Sequence, residues 1–379
     1  MTGLFSEFIL AIGVFMKNIY KSINFWGYLV CLCFLSACLQ STNQSTNQET
    51  IALVHEQVTN QDAIIGTDVV PVVVLGGGVA GLTAAIYLAQ ANIPVLVIEG
   101  PKPGGALSQS HAVQNWPGEY NESGINIVQK IKNHAISCGA QIIQACITSV
   151  NIRQSPFVFE LDTQINGKKT IIKATTCIVA MGTEPNFLDI PGERGDNGYW
   201  GRGVSNCAIC DGFFFKGKRV IVIGGGDSAV EEANYLADLV ESVTIIVRKD
   251  AFRAKDIKAL ERLLVHKNVE VMFNCQVKEI KGDGQGVTGA TIINDCNKLQ
   301  DLPVDGVFLA IGSRPNTDLF KGQVELSLHG FMVLKNYQAT SVPGVFAAGD
   351  IADPQFIQAI TAAGDGCRAA LQVKKYLEG

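Results

Sequence analysis

A chain of 379 residues that is 47% hydrophobic and only 17% charged carries enough apolar side chain for a sizeable core, which excludes a disordered protein and points to two or three domains. Thirty Lys and Arg against 35 Asp and Glu leave a net charge of −5, without the cationic excess that displaces counterions from nucleic acid, so no nucleic-acid partner is expected. The 11 cysteines are scattered, unlike those of a small disulfide scaffold, and Cys138, Cys146, Cys177, Cys275, Cys296 and Cys367 are each expected to pack as small hydrophobes.

In chain order, the first segment has the pattern of a lipoprotein signal. Lys17 and Lys21 lead, an apolar run from Phe25 to Leu35 follows, and the segment ends Leu35-Ser36-Ala37-Cys38. Glu7 and another apolar run precede Met16, which does not suit a signal's basic start and raises Met16 as an alternative translation start. The competing readings are an uncleaved anchor, just short of a span of about 20 residues, and a buried helix. Residues 1–38 are therefore read as a lipoprotein-like signal or anchor, with membrane attachment through Cys38 as its consequence. Residues 39–67, in which Ser-Thr-Asn-Gln occurs twice in succession, read as a flexible tether, and folding is expected from Asp68.

From Val72 the chain runs Val-Val-Val-Leu into Gly76-Gly77-Gly78-Val79-Ala80-Gly81, then a helix-like Leu82 to Gln90, then Val95 to Glu99. Strand, glycine turn, helix and a second strand ending in an acid make one Rossmann-like dinucleotide unit. Gly76 permits the turn, Gly78 admits a pyrophosphate to the backbone, Gly81 lets helix pack on strand, and Glu99 can accept from a free ribose hydroxyl. The pattern recurs as Arg219 to Ile223, then Gly224-Gly225-Gly226-Asp227-Ser228-Ala229, a helix-like Val230 to Leu239, and Val243 to Val247. Where the first unit has Glu99 the second has Arg248, then Lys249 and Arg253. An acid repels a ribose 2′-phosphate and cations bind it, so the first unit suits FAD and the second NADPH; a solvated basic turn is the alternative for the cations.

Ile178 to Asn186 echoes Phe308 to Asn316, each an apolar strand breaking into a Gly and Pro turn, and the two copies bracket the second unit. The expected fold is therefore α/β, with an NADPH domain at 187–310 inserted into an FAD domain formed by 68–186 and 311–379. The resumed part carries Val345 to Asp350 and a final helix from Ile357 to Leu377.

Between the units stands Cys207-Ala208-Ile209-Cys210-Asp211-Gly212. A two-residue gap with the first sulfur at a helix start lets the sulfurs meet and supports a thiolate, the pattern of a redox disulfide. Structural zinc would need a second close Cys or His pair, which is absent, so no metal is expected.

From about Val70 to Gly379 the sequence resembles low-molecular-weight thioredoxin reductase. The resemblance rests on Asn115-Trp116-Pro117-Gly118, Gly201 to Ser205, Cys207 to Gly212 with Phe213-Phe214, Val230-Glu231-Glu232-Ala233, Asp250 to Ala254 and Gly344 to Asp350 in that order. It implies electrons passing from NADPH through FAD to Cys207 and Cys210 and on to thioredoxin or a thioredoxin-like protein. Cys210 would face the flavin, Cys207 would attack the partner disulfide, and Asp211 would handle the proton; a helix-start acid is the plainer role for Asp211. It also implies FAD contacts from Gly105, Asn115, Gly182, Asp350, Gln358 and Ala359, cofactor contacts in the second unit from Gly224, Gly226, Asp227 and Ser228, a homodimer, a cytoplasmic location, and two domain orientations with joints near 183–186 and 311–316.

The chain departs from the family at Val247-Arg248-Lys249-Asp250, where His-Arg-Arg-Asp is usual, so part of a bidentate phosphate clamp becomes a point charge and a weakened preference for NADPH over NADH is expected. It also departs at Ile357 and Ala106, whose FAD contacts are not carried over. A flavin-dependent dithiol oxidase would use the same cysteines without NADPH, against which Arg248, Lys249 and Arg253 argue. A related ferredoxin-NADP reductase lacks the pair, and a non-catalytic membrane lipoprotein has only the amino-terminal segment in its favour.

Overall fold

The computed structural model describes residues 69–110, 112–163 and 168–379. The signal, anchor and tether readings fall on residues 1–67 and lie outside the described residues. Among the described residues no helix is long and apolar enough to cross a membrane.

The fold is mixed α/β and grows from two strands that are apolar on both faces. Strand β1 (Val69–Leu75) is almost all valine, and Val72, Val73, Val74 and Leu75 are wholly buried, as a strand covered on both faces by helices must be. It runs parallel to β2 (Val95–Glu99) on one side and β6 (Lys168–Val179) on the other. Beyond β2 lies β3 (Gln141–Gln144), and beyond the early part of β6 come β5 (Phe157–Thr163) and β4 (Cys146–Asn151), both in antiparallel pairings. The last three residues of β6 pair instead with β17 (Val345–Ala347), so a strand from far along the chain completes this sheet. Helices α1 (Val79–Gln90) and α2 (Gly124–Ser137) follow β1 and precede β3. The final helix, α6 (Ala359–Leu377), packs against α1 so closely that a Cβ at Gly366 would lie 2.1 Å from the Ala80 carbonyl oxygen.

A second, all-parallel sheet is built from intervening sequence, in the order β11 (Val269–Phe273), β10 (Ser242–Val247), β9 (Arg219–Ile223), β15 (Gly306–Leu309), β8 (Val204–Ser205). Its helices are the short α3 (Ala208–Asp211), then α4 (Asp227–Ala237) and α5 (Ile257–Leu264). An antiparallel meander of β12 (Cys275–Asp283), β13 (Gly286–Asn294) and β14 (Leu299–Leu302) shares a core with it through Ile221, Val277, Ile292 and Val307.

The chain crosses between the two sheets twice, through β7 (Thr183–Pro185) and β16 (Ser313–Pro315), which pair antiparallel. The echoed turns interlock reciprocally. The Asn186 amide donates to the Gly312 carbonyl at 3.0 Å and the Asn316 amide to the Gly182 carbonyl at 3.1 Å, while the Asn186 and Asn316 side chains donate to Ile311 and Met181 carbonyls.

Four helix bounds differ from the sequence reading, one of them the end of α4, which stops at Ala237 rather than Leu239 as the Leu239 amide turns to the Leu236 carbonyl. Helices α1 and α4 begin at Val79 and Asp227, three residues before the expected starts, because each glycine turn feeds straight into helix from an extended Gly78 or Gly226. Helix α6 begins at Ala359, two residues late, because Gln358 is extended and Thr361 donates from Oγ1 to the Phe356 and Gln358 carbonyls. Cys296 is the exception among the lone cysteines. It is exposed in the turn between β13 and β14, where its amide donates to Asn294 Oδ1, and it does not pack as a hydrophobe.

Candidate active site

The two glycine turns are the same construction. Gly76 and Gly224 both have positive φ, 115° and 153°, and a Cβ on either would lie 2.2 or 2.3 Å from a carbonyl oxygen, of Ala180 and Ala310 respectively. Only glycine fits both demands. Past them the turns open. A Cβ at Gly78 would meet nothing nearer than Gly105 Cα at 3.8 Å, and one at Gly226 would meet nothing within 4 Å. Each turn thus presents bare backbone at a helix start, where a pyrophosphate is received. Gly81 packs against the Gly76 carbonyl, 2.0 Å from where its Cβ would be, and the matching place in the second unit is taken by the buried Ala229.

The strand ends differ. Glu99 is 2% exposed; its Oε2 accepts from Lys132 Nζ at 2.6 Å, and its Oε1 is buried with no partner among the described residues. A buried carboxylate oxygen left without a donor fits a ribose hydroxyl. Asp350 follows Gly349 at the end of β17, and burial, with Asp353 and Asp365 nearby, pushes its carboxyl up to about 6. The Gly349 amide donates to Asp365 Oδ2, which holds this turn. An acceptor shielded from water beside the glycine turn also fits a hydroxyl-rich ligand, so these residues fit FAD.

In the second unit Arg248, Lys249 and Arg253 are exposed, and none forms an ion pair with a described carboxylate. The Arg253 amide donates to the Gly225 carbonyl at 2.6 Å, which folds the cationic loop back on the glycine turn. Arg248 borders a cleft of about 300 Å³ that Gln276 and Lys278 also line. Asp227 is committed locally: Oδ1 accepts from the Lys255 and Asp256 amides, which lower its pKa. Ser228 is exposed in the first turn of α4.

Cys207 and Cys210 form a disulfide. Cys207 caps α3, and its sulfur accepts from the Cys210 amide at 3.2 Å. Ser205, at the end of β8, joins the pair to the acid: its Oγ donates to Asp211 Oδ2 at 2.6 Å and accepts from the Cys207 amide at 3.0 Å. Gln358 reaches the disulfide from the start of α6. Its Nε2 lies 3.8 and 3.9 Å from the Cys207 and Cys210 sulfurs, and its Oε1 accepts from Asn115 Nδ2 at 3.3 Å. Of the residues expected to contact FAD, Gln358 thus reaches the disulfide that α3 carries, and Asn115 holds Gln358. Gly182 lies at the mouth of the β7 ribbon, and Ala359 opens α6 behind Gln358.

The sequence reading missed Ser205 as a site residue, although the motif containing it was visible. It also left unused the apolar surface beside the pair, where Ile209 is 57% and Phe213 53% exposed and Phe214 lies next to them.

The family model described as pyridine nucleotide-disulphide oxidoreductase matches residues 70–366. The chain belongs to that family. It is 41% identical over 317 residues to thioredoxin reductase of Coxiella burnetii, covering 81% of this chain and 96% of that one. It is 40% identical over 316 residues to a protein of Pseudomonas fluorescens named glucosaminate ammonia-lyase, with the same coverage. The solved thioredoxin reductase from Giardia duodenalis superposes with a TM-score of 0.76 at 35% identity, over 83% of this chain and all of that one. FAD and NADPH are the cofactors of thioredoxin reductases in this family.

Proposed function

We propose that the chain is an NADPH-dependent thioredoxin-disulfide reductase. The observation that carries this reading is the approach of Gln358, itself bonded to Asn115, to the Cys207–Cys210 disulfide, which supports a reducible bond beside the residues assigned to the flavin. FAD, when bound, accepts a hydride from NADPH and delivers two electrons to the disulfide.

The chain's own residues account for the rest. Gly76, Gly78, Gly81, Gly105, Glu99, Asp350, Gly182 and Ala359 hold FAD, and Gly224, Gly226, Ser228, Arg248, Lys249 and Arg253 hold NADPH. Gln358 and Asn115 steady the pair from the flavin side. Once the disulfide is reduced, the Cys210 amide favours negative charge on Cys207, which suits Cys207 to attack a partner disulfide while Cys210 resolves the mixed disulfide. Asp211, held by Ser205, is placed to exchange the proton. Ile209, Phe213 and Phe214 supply an apolar surface on which a thioredoxin can seat. An ammonia-lyase reaction involves no net oxidation and gives this pair no task.

The insertion of 187–310 between 68–186 and 311–379 belongs to the same reading, with rotation about the β7 and β16 ribbon bringing nicotinamide and disulfide to the flavin by turns. So do a homodimer, from the resemblance, and membrane attachment through Cys38, from the pattern of residues 1–38; sedimentation and membrane fractionation test them. The reaction itself is tested by NADPH oxidation in the presence of oxidised thioredoxin. Oxygen uptake with a dithiol and no NADPH would favour the oxidase instead.

A further inference from the structure

We propose that Glu232 takes up a proton when the Cys207–Cys210 disulfide is reduced, and so couples the redox state of the pair to pH. The proposal rests on the reading of this pair as redox-active but not on the identity of its partner. Glu232 lies on α4 on the side packed against α3, where the Ala208 amide reaches it, and its Oε2 is buried with no hydrogen-bond partner among the described residues. The nearby Ala208 amide, next in the chain to Cys207, favours its ionised form, but burial outweighs that and pushes its carboxyl up to about 8. A negative charge arising on a pair sulfur lies one residue from the amide that contacts this carboxyl.

Asp211 is the other titratable group beside the pair, and the Glu232 variants separate its contribution from that of Glu232. Glu231, on the same helix, raises the Glu232 carboxyl further. Helix α3 and the turn Gly212–Phe215 carry Asp211 as their one charged side chain, and Ser205 donates to it. From α5, Arg262 is turned to Asn234 Oδ1, and on β9 Arg219 pairs with Asp305. The Tyr235 ring packs over Gly212.

The balance is simple. Reduction breaks the S–S bond and brings two electrons, from NADPH through FAD in turnover. One sulfur takes a proton and becomes a thiol, and the other remains a thiolate. Above about pH 8 Glu232 is ionised beside the Ala208 amide. A new thiolate disfavours that charge, so the carboxylate takes a second proton as the pair is reduced.

The experiment uses the full chain in dithiothreitol redox buffers across pH, with the reduced Cys207–Cys210 peptide trapped by alkylation and counted by mass spectrometry. Each proton taken up changes the reduction equilibrium about tenfold per pH unit. Between about pH 8 and 9 the unsubstituted protein is expected to follow a slope about tenfold steeper per pH unit than Glu232→Gln, with Glu232→Asp restoring the steeper slope and the lines parallel below about pH 7. Parallel lines throughout overturn the proposal, and a pair that dithiothreitol cannot reduce overturns the redox reading beneath it. Should Glu232→Gln fail to fold, the infrared difference spectrum at about pH 8.5 decides, because a protonated-carboxyl band must appear on reduction both in the unsubstituted protein and in Asp211→Asn, and its absence from either is contrary.

Discussion

The two dinucleotide units share a backbone and differ at one strand end. In both, a glycine of positive φ tucks under a carbonyl, of Ala180 or Ala310, and a second glycine leaves the helix start bare. After that they separate. Glu99 is buried, half neutralised by Lys132, with one oxygen lacking a donor among the described residues, whereas Arg248, Lys249 and Arg253 stand exposed and without a described carboxylate partner. A hydroxyl is recognised by a dry acceptor already in place, and a phosphate dianion by cations that stay hydrated until it arrives. In the proposed reading the glycine turn marks a dinucleotide, and the charge at the end of the second strand says which one.

The largest effect should come from the group both units serve. Cys210→Ser is expected to leave the flavin reducible by NADPH, abolish thioredoxin reduction, and trap a mixed disulfide on Cys207; normal turnover would break the electron path. Neutralising Arg248 and Lys249 together should raise the KM for NADPH by at least about tenfold, the scale of a lost charge-assisted hydrogen bond, with little change for NADH. Equal effects on both nucleotides would erase the contrast between the units.

Asp350→Asn tests the acceptor logic of the first unit through pH. The folded carboxyl lies at about 6, above its unfolded value, so the flavin-free protein is stabilised by protonation and loses that stability as pH rises through about 6. The variant should retain FAD poorly and yet show a flatter melting profile across that range when flavin-free. An unchanged profile would mean Asp350 is not the titrating group. The smallest effect is expected from Ser205→Ala, which removes the donor to Asp211 Oδ2 and should slow disulfide reduction several-fold without altering flavin content, followed by stopped flow.

Much of this was legible because it is local. The glycine turns, the cysteine pair and the charge difference between Glu99 and Arg248 each occupy a few consecutive residues, and β2 and β9 match their expected bounds. What escaped was long-range or buried. Gln358 meets Cys207 across 151 positions of sequence, and no periodicity announces such a meeting. The helix starts at Val79 and Asp227 were hidden by glycine and small residues that carry no apolar rhythm. Glu232 looked like any helical glutamate until α3 was found packed over it, and Cys296 looked apolar until it fell in a turn.

The most direct test of the account is anaerobic titration of the purified protein with NADPH, following the flavin spectrum, and then addition of oxidised thioredoxin. The account predicts that NADPH bleaches the flavin at far lower concentration than NADH does, and that thioredoxin restores the oxidised spectrum with the appearance of thioredoxin thiols. A flavin that NADPH reduces but thioredoxin cannot reoxidise would contradict it.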